Sequence, residues 1–410
     1  MTPLLVSLSL TFSLAPAAEP RGFPRFETQE IAKDLKIGYA VHICDINGDR
    51  KPDIVVVDKE RVVWYENPTW KMHTIITGKT KPDNVCIASV DIDGDGKLDL
   101  VLGAGWKPFD TSVPGTMQWL GRGKTLDEEW TVHPIPCDEP TVHRVLVANL
   151  ENKGKPQILM APLMGRGSSA KANWADGRPS RIIAYDIPKD PTKPENWKPK
   201  VVIDQLRVVH NFTATQTHAG QIITTASYEG VHEFVPQAGG GFLSTKIGDG
   251  NQANPKSNRG SSEISVGSLL HLRTIATVEP WHGHQIVAYH AALSDDKLTY
   301  KRVVLDDHLR WGHAVKFADL LGDKNEMIVA GVRDNPNAKQ GDTFTEKCGV
   351  RIYRRPNPNS DKWDRTLLDE GGVAVEDLAV ADLNGDGKPD IIAVGRATGN
   401  CRIYWNRGKE

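Results

Sequence analysis

Short apolar runs broken by one kind of acidic turn recur along this chain. Three copies are nearly superimposable: Asp45-Ile-Asn-Gly-Asp-Arg-Lys-Pro-Asp53, Asp91-Ile-Asp-Gly-Asp-Gly-Lys-Leu-Asp99 and Asp382-Leu-Asn-Gly-Asp-Gly-Lys-Pro-Asp390. Each leads into a second apolar run: IVVV at 54–57, LVLG at 100–103 and IIAV at 391–394. Eroded copies start at Asn149 and Asp319. Apolar run, turn, apolar run predicts a β-hairpin. Two more strands follow each hairpin. The third carries an aromatic or basic cluster, as in VVWYEN at 62–67 and CRIYWN at 401–406. The fourth reads WKMHTII at 70–76, WTVHPIP at 130–136 and WDRTLLDE at 363–370. Four strands per unit, repeating about every fifty residues, is the pattern of a β-propeller. Units without the acidic turn fill 206–249 and 250–307, which makes seven blades. The last blade lacks a fourth strand at the C-terminus, and Arg25–Ile31 can supply it. The prediction is an all-β, seven-bladed propeller closed by an N-terminal strand, which leaves no exposed sheet edge.

Composition narrows this picture without changing it. Of 410 residues, 39% are hydrophobic and 25% charged, as in folded globular chains. A net charge of −2 offers phosphate backbones no general attraction, so no nucleic-acid partner is expected. An apolar stretch from Leu4 to Leu14, followed by Ala15-Pro16-Ala17, predicts a signal peptide over 1–18 and export to the periplasm or beyond. The propeller domain then occupies 22–410. No later stretch approaches the roughly 20 apolar residues of a membrane span. Five cysteines, odd in number and widely spaced, argue against a disulfide framework.

The acidic turns place short carboxylates around a glycine-permitted bend. The candidate oxygens come from Asp45, Asn47, Asp49 and Asp53, from Asp91, Asp93, Asp95 and Asp99, and from Asp382, Asn384, Asp386 and Asp390. That spacing suits Ca²⁺ in a structural role, or capping of the turn by side-chain to backbone hydrogen bonds. These segments resemble FG-GAP/VCBS repeats, a resemblance that implies Ca²⁺-binding loops in a propeller.

A second periodicity lies six residues before each turn aspartate or its equivalent. That column reads Tyr39, Val85, His143, His210, Glu263, His313 and Glu376. It marks the start of the innermost strand of every blade, so these side chains gather at one mouth of the central channel. His143, His210 and His313 are the candidate ligands of a divalent transition metal, Zn²⁺ or Mn²⁺. Hydrogen bonding at the mouth is the plainer role for the same histidines. The long loops at 103–115, 162–181 and 332–349 surround this opening. Candidate substrate contacts there and on the column are Tyr39, Trp106, Arg166, Tyr228, Trp281, Arg333 and Arg396. Aromatic faces and guanidinium groups around a polar pocket suit a small or oligomeric sugar. His282, beside Trp281, and the carboxylates of Glu263 and Glu376 are the candidates for proton transfer. His42, His73 and His133 are expected to pack within or between blades.

The middle and end of the chain also resemble the propeller domain of aldos-2-ulose dehydratases. The residues carrying this are His143-Arg144, MAPLMGRG at 160–167, RIIAYDIP at 181–188, VVHNF at 208–212, EPWHGHQ at 279–285 and WGHAVKFADL at 311–320. That enzyme's cupin domains have no counterpart here. The resemblance implies a metal-assisted β-elimination on a keto-sugar, by loss of water or of a glycosidic alkoxide. Two other functions fit less of the sequence. A non-catalytic propeller that binds glycan or protein has no need of three converging imidazoles. A uronate lyase would use the arginines for carboxylates, but its motifs are not evident.

Overall fold

The computed structural model describes residues 22–409 apart from 151–153, 218–219, 238–239, 255–256, 270–271, 295–296, 334–345, 357–359 and 361. The expected signal peptide lies outside the described residues, as do the centre of the 332–349 loop and part of the eroded turn after Asn149.

Seven antiparallel four-stranded sheets form the molecule. Six blades run in chain order over 38–77, 86–135, 142–206, 211–248, 264–306 and 312–367. The seventh joins Val375–Ala381, Asp390–Gly395 and Cys401–Gly408 to the N-terminal strand Arg25–Ala32. Arg25 pairs with Gly408 and Ala32 with Cys401, so the two ends of the chain close the ring, as expected from the sequence. Among the described residues no helix is long and apolar enough to cross a membrane, and no disulfide joins any of the five cysteines.

The apolar runs become the second strand of each blade. Asp53–Asp58, Asp99–Ala104 and Asp390–Gly395 are buried along their whole length. Each is covered by a neighbouring blade on both faces, hence a continuous apolar run and not an alternating one. The final aspartate of every full turn is interior. Asp53 accepts the backbone N–H of Ile46 and of Asn67, both at 2.9 Å, and Asp99 and Asp390 repeat the arrangement. Burial pushes the carboxyls of Asp53 and Asp99 up to about 6, against the pull of these N–H groups.

Amides staple the blades together. Asn406 Nδ2 donates to the carbonyl of Leu320 in the preceding blade (2.8 Å) and to Pro389 (3.1 Å). Asn67 does the same to Leu383 and Pro52. The plainer histidines behave as expected. His73 stacks on Trp64 at 4.4 Å and His133 on Trp119 at 4.2 Å, while His42 Nε2 meets Ser89 Oγ of the next blade at 2.9 Å.

Candidate functional site

The column of the inner strands is a column of ladder defects. Gly38 pairs with Asp58 and Ala40 with Val57, so Tyr39 is skipped. His143, His313 and Glu376 are skipped in the same way in blades three, six and seven. A bulge leaves its residue out of the ladder and re-aims the side chain, here toward the mouth. In blades four and five, His210 and Glu263 stand one residue before the inner strand.

These positions bring four imidazoles together. Ring centroids of His210 lie 4.7 Å from His143, 4.8 Å from His282 and 5.2 Å from His313. His282 and His313 are 4.9 Å apart. His282 comes from the loop between the second and third strands of blade five, in a left-handed backbone (φ 50°). Gly283 follows because a Cβ there would sit 2.2 Å from the Glu279 carbonyl.

On two rings the nitrogen facing away from the centre lies against an oxygen. His313 Nδ1 lies 2.6 Å from the carbonyl oxygen of Glu376, which only accepts, so the proton is on Nδ1 and the Nε2 lone pair is free. His210 Nδ1 is 2.9 Å from Glu263 Oε1, short in distance but off the N–H direction of a well-formed hydrogen bond. His210 Nε2 and His282 Nε2 are 2.9 Å apart. Ligand atoms of His210, His282 and His313 all fall within 4.8 Å of one another. His143 Nε2 is buried with no hydrogen-bond partner among the described residues, and its ring stacks on Trp106 at 4.8 Å. Burial holds His143, His282 and His313 well below the ordinary imidazole range, reinforced by Arg144 for the first and by Arg333 for the other two. Neutral imidazoles with outward nitrogens spoken for are the donor set that a divalent transition metal takes. The residues therefore fit such an ion. The tightest group includes His282, expected as a proton-transfer residue, in place of His143.

The two carboxylates, expected as candidates for proton transfer, are both ion-paired. Glu263 accepts from Arg144 (2.9 Å) and from Asn211. Burial alone would raise its carboxyl, but Arg144 and His210 overcome this and hold it well below the usual carboxylate range. Glu376 is clamped between Arg333 (2.6 Å) and Arg396 (2.8 Å). Both carboxylates orient their neighbours.

The expected substrate contacts divide. Trp281 flanks His282 at 4.8 Å, Arg333 lies 4.5 Å over Trp311, and Arg396 lies 5.2 Å over Tyr39. Tyr39 also donates to Asp83 (2.7 Å). Arg166 and Tyr228 do not reach the cluster as contacts. Arg166 ties loop to loop through Ser112 and Asp138, and Tyr228 is buried beneath Trp281 with its hydroxyl on Asn173. Trp311, 5.2 Å from His282, was missed because it lies two residues before the column residue His313. A cavity of about 700 Å³, lined among others by Trp70, Trp405, Asn384 and Arg407, lies on the opposite side with the acidic turns and holds no histidine.

Those turns are capped by their own side chains. Asp45 Oδ1 accepts from Gly48 N (2.7 Å) and Oδ2 from Arg50 N (2.8 Å), and Asp91 and Asp382 repeat this. Asn47, Asp93 and Asn384 each accept the N–H two residues on, as do Asp49, Asp95 and Asp386.

Fold and repeats together define the chain as a seven-bladed β-propeller with FG-GAP repeats: residues 45–102 match the FG-GAP-like repeat and 374–404 the FG-GAP repeat. Residues 114–292, which carry His143, His210, Glu263 and His282, match the β-propeller domain of aldos-2-ulose dehydratase. No curated protein matches the chain. Two crystal structures of BBS1N in complex with ARL6DN share the fold. The mercury-soaked one is 10% identical with a TM-score of 0.53 and covers 93% of this chain and 96% of that one. The lead-soaked one is 12% identical with a TM-score of 0.55 and covers 94% and 98%. At such identities the likeness concerns the fold alone.

Proposed function

We propose that this protein is an exported carbon–oxygen lyase that eliminates water or a glycosidic alkoxide from a keto-sugar at the channel mouth. One observation carries the reading: four neutral imidazoles meet at the mouth, with the outward nitrogens of His210 and His313 held by Glu263 and by the Glu376 carbonyl. His210, His282 and His313 would hold a divalent metal, Zn²⁺ or Mn²⁺. Such an ion supplies the positive charge that a ring carbonyl needs as its neighbouring C–H is lost. His143 is the imidazole left over. Its unpartnered Nε2 takes the proton from that carbon in the tautomer that carries the ring hydrogen on Nδ1, giving up the long 3.5 Å contact with Arg144 Nη1, and returns it to the departing oxygen, so the sum is an enone plus water or alcohol. Trp106 fixes the plane of that ring by stacking. Arg144 donates to the His143 carbonyl (3.1 Å) and holds its backbone.

Export is supported by the apolar run Leu4–Leu14 and the small residues after it. Ca²⁺ in the acidic turns is supported by Asp91, Asp93 and Asp99, whose ligand atoms lie within 4.8 Å of one another. The second reading is a non-catalytic binding propeller. In its favour, BBS1N, which shares this fold, forms a complex with ARL6DN.

The test is ultraviolet absorbance during incubation of metal-loaded protein with 1,5-anhydrofructose, glucosone and 3-keto-glycosides. Growth of an enone band that disappears in His143→Gln, while metal content stays unchanged, supports the lyase. No band with any of them, at full metal loading, leaves the binding propeller as the account.

A further inference from the structure

Charge beside the four imidazoles is uneven among the described residues. Arg333 and Arg396 share one carboxylate, Glu376, at 2.6 and 2.8 Å. Glu263 is taken by Arg144 and His210, and the buried Asp377 also acts on Arg144. Hydrogen-bonding capacity is uneven in the same sense. Arg333 Nε, Trp281 Nε1 and Trp311 Nε1 are buried donors without an acceptor among the described residues. They stand close together: Trp281 and Trp311 flank His282 at 4.8 and 5.2 Å, and Arg333 lies over Trp311. Arg396 is one-third exposed (33%), pairs with Glu376 through one nitrogen and lies over the Tyr39 ring.

A neutral sugar presents hydroxyls, which donate as readily as they accept. A carboxylate only accepts, at two oxygens, and matches a planar guanidinium. We infer that the substrate of this mouth is an anionic, uronate-type sugar, whose carboxylate seats against Arg333 and Arg396 while its ring lies beside Trp281 and Trp311. This rests on reading the mouth as a sugar site. It departs from the neutral keto-sugars that the family resemblance implies, and it needs no uronate-lyase motif.

The test is calorimetric titration of the protein as purified with D-glucuronate, methyl glucoside and acetate, at low and high salt. The carboxylate sugar is expected to bind roughly tenfold to a hundredfold tighter than the neutral one, the span of one or two charge-assisted hydrogen bonds. That preference should fall as salt rises and be lost in Arg396→Gln, whose partly exposed side chain leaves Glu376 its bond to Arg333. The salt series on the unaltered protein keeps the test valid if that variant does not fold. Equal affinity for glucuronate and methyl glucoside overturns the inference. So does acetate binding as tightly as glucuronate, because the site would then hold an anion without recognising a sugar. The two proposals separate cleanly. Turnover of a neutral keto-sugar that glucuronate does not inhibit keeps the lyase and discards the anionic substrate. Tight glucuronate binding, with no enone from any keto-sugar or keto-uronate, does the reverse.

Discussion

Glu263→Gln removes one buried negative charge and turns the oxygen that accepts from Asn211 Nδ2 into an amide donor. The side chain is 4% exposed, and its Oε1 lies 2.9 Å from both Arg144 Nη2 and His210 Nδ1. Arg144 would be left as a buried cation without its hydrogen-bonded counter-charge, with Asp377 still acting on it from a distance. Breaking a buried pair from one side costs about 3–5 kcal/mol. Glutamine still offers an oxygen to both partners, so the lower end, about 3 kcal/mol, is expected. A cycle with Arg144→Gln makes the argument sharper. The double variant buries no lone charge, so its loss should fall short of the summed single losses by about 2 kcal/mol. Urea denaturation followed by tryptophan fluorescence measures all four proteins, with the slope required to stay constant. Additive losses, or a Glu263→Gln variant within 1 kcal/mol of the parent, would refute the claim that this carboxylate is a structural counter-ion.

Three further predictions rest on other parts of the molecule. Asn406→Ala removes one hydrogen bond to the preceding blade (Leu320), one within its own blade (Pro389) and an acceptor for Gly408 N at a fully buried residue, and should cost about 3 kcal/mol in the same urea experiment. Burial, reinforced by Lys316, lowers the His42 imidazole to about 4. Its neutral form therefore supports the fold fully above pH 6.5, and that support is lost as pH falls from 6.5 through 4. The loss is at most about 3 kcal/mol because the ring is partly open to the channel, and His42→Gln should flatten the pH dependence of unfolding by about one proton in that window. Added Ca²⁺ should raise the melting temperature of the parent and raise it less in Asp91→Asn, whereas equal or absent shifts would leave the turns as self-capped bends.

Much of the fold was legible because one period governs it. The acidic turn fixes where each inner hairpin bends, and a closed ring needs its missing strand from the other end of the chain. The histidine column was legible for the same reason, since equivalent positions of a repeat occupy equivalent places. Its bulges were not, because a skipped residue leaves no mark on apolar spacing. The roles of the glutamates were hidden by distance along the chain. Glu263 is set by Arg144, 119 residues away, and Glu376 by Arg333, 43 away. His282 stands outside the column on a loop, and only the left-handed turn at Trp281-His282-Gly283 swings it onto His210.

The central claim is that the imidazoles at the mouth form one metal centre, and elemental analysis of the purified protein beside four single variants tests it most directly. The account predicts one tightly held transition metal per chain after dialysis against a weak chelator. It should be lost in His210→Ala, His282→Ala and His313→Ala and retained in His143→Ala, with the circular dichroism of all four unchanged. A chain that takes up no transition metal, or one whose metal is indifferent to the three substitutions, would contradict it.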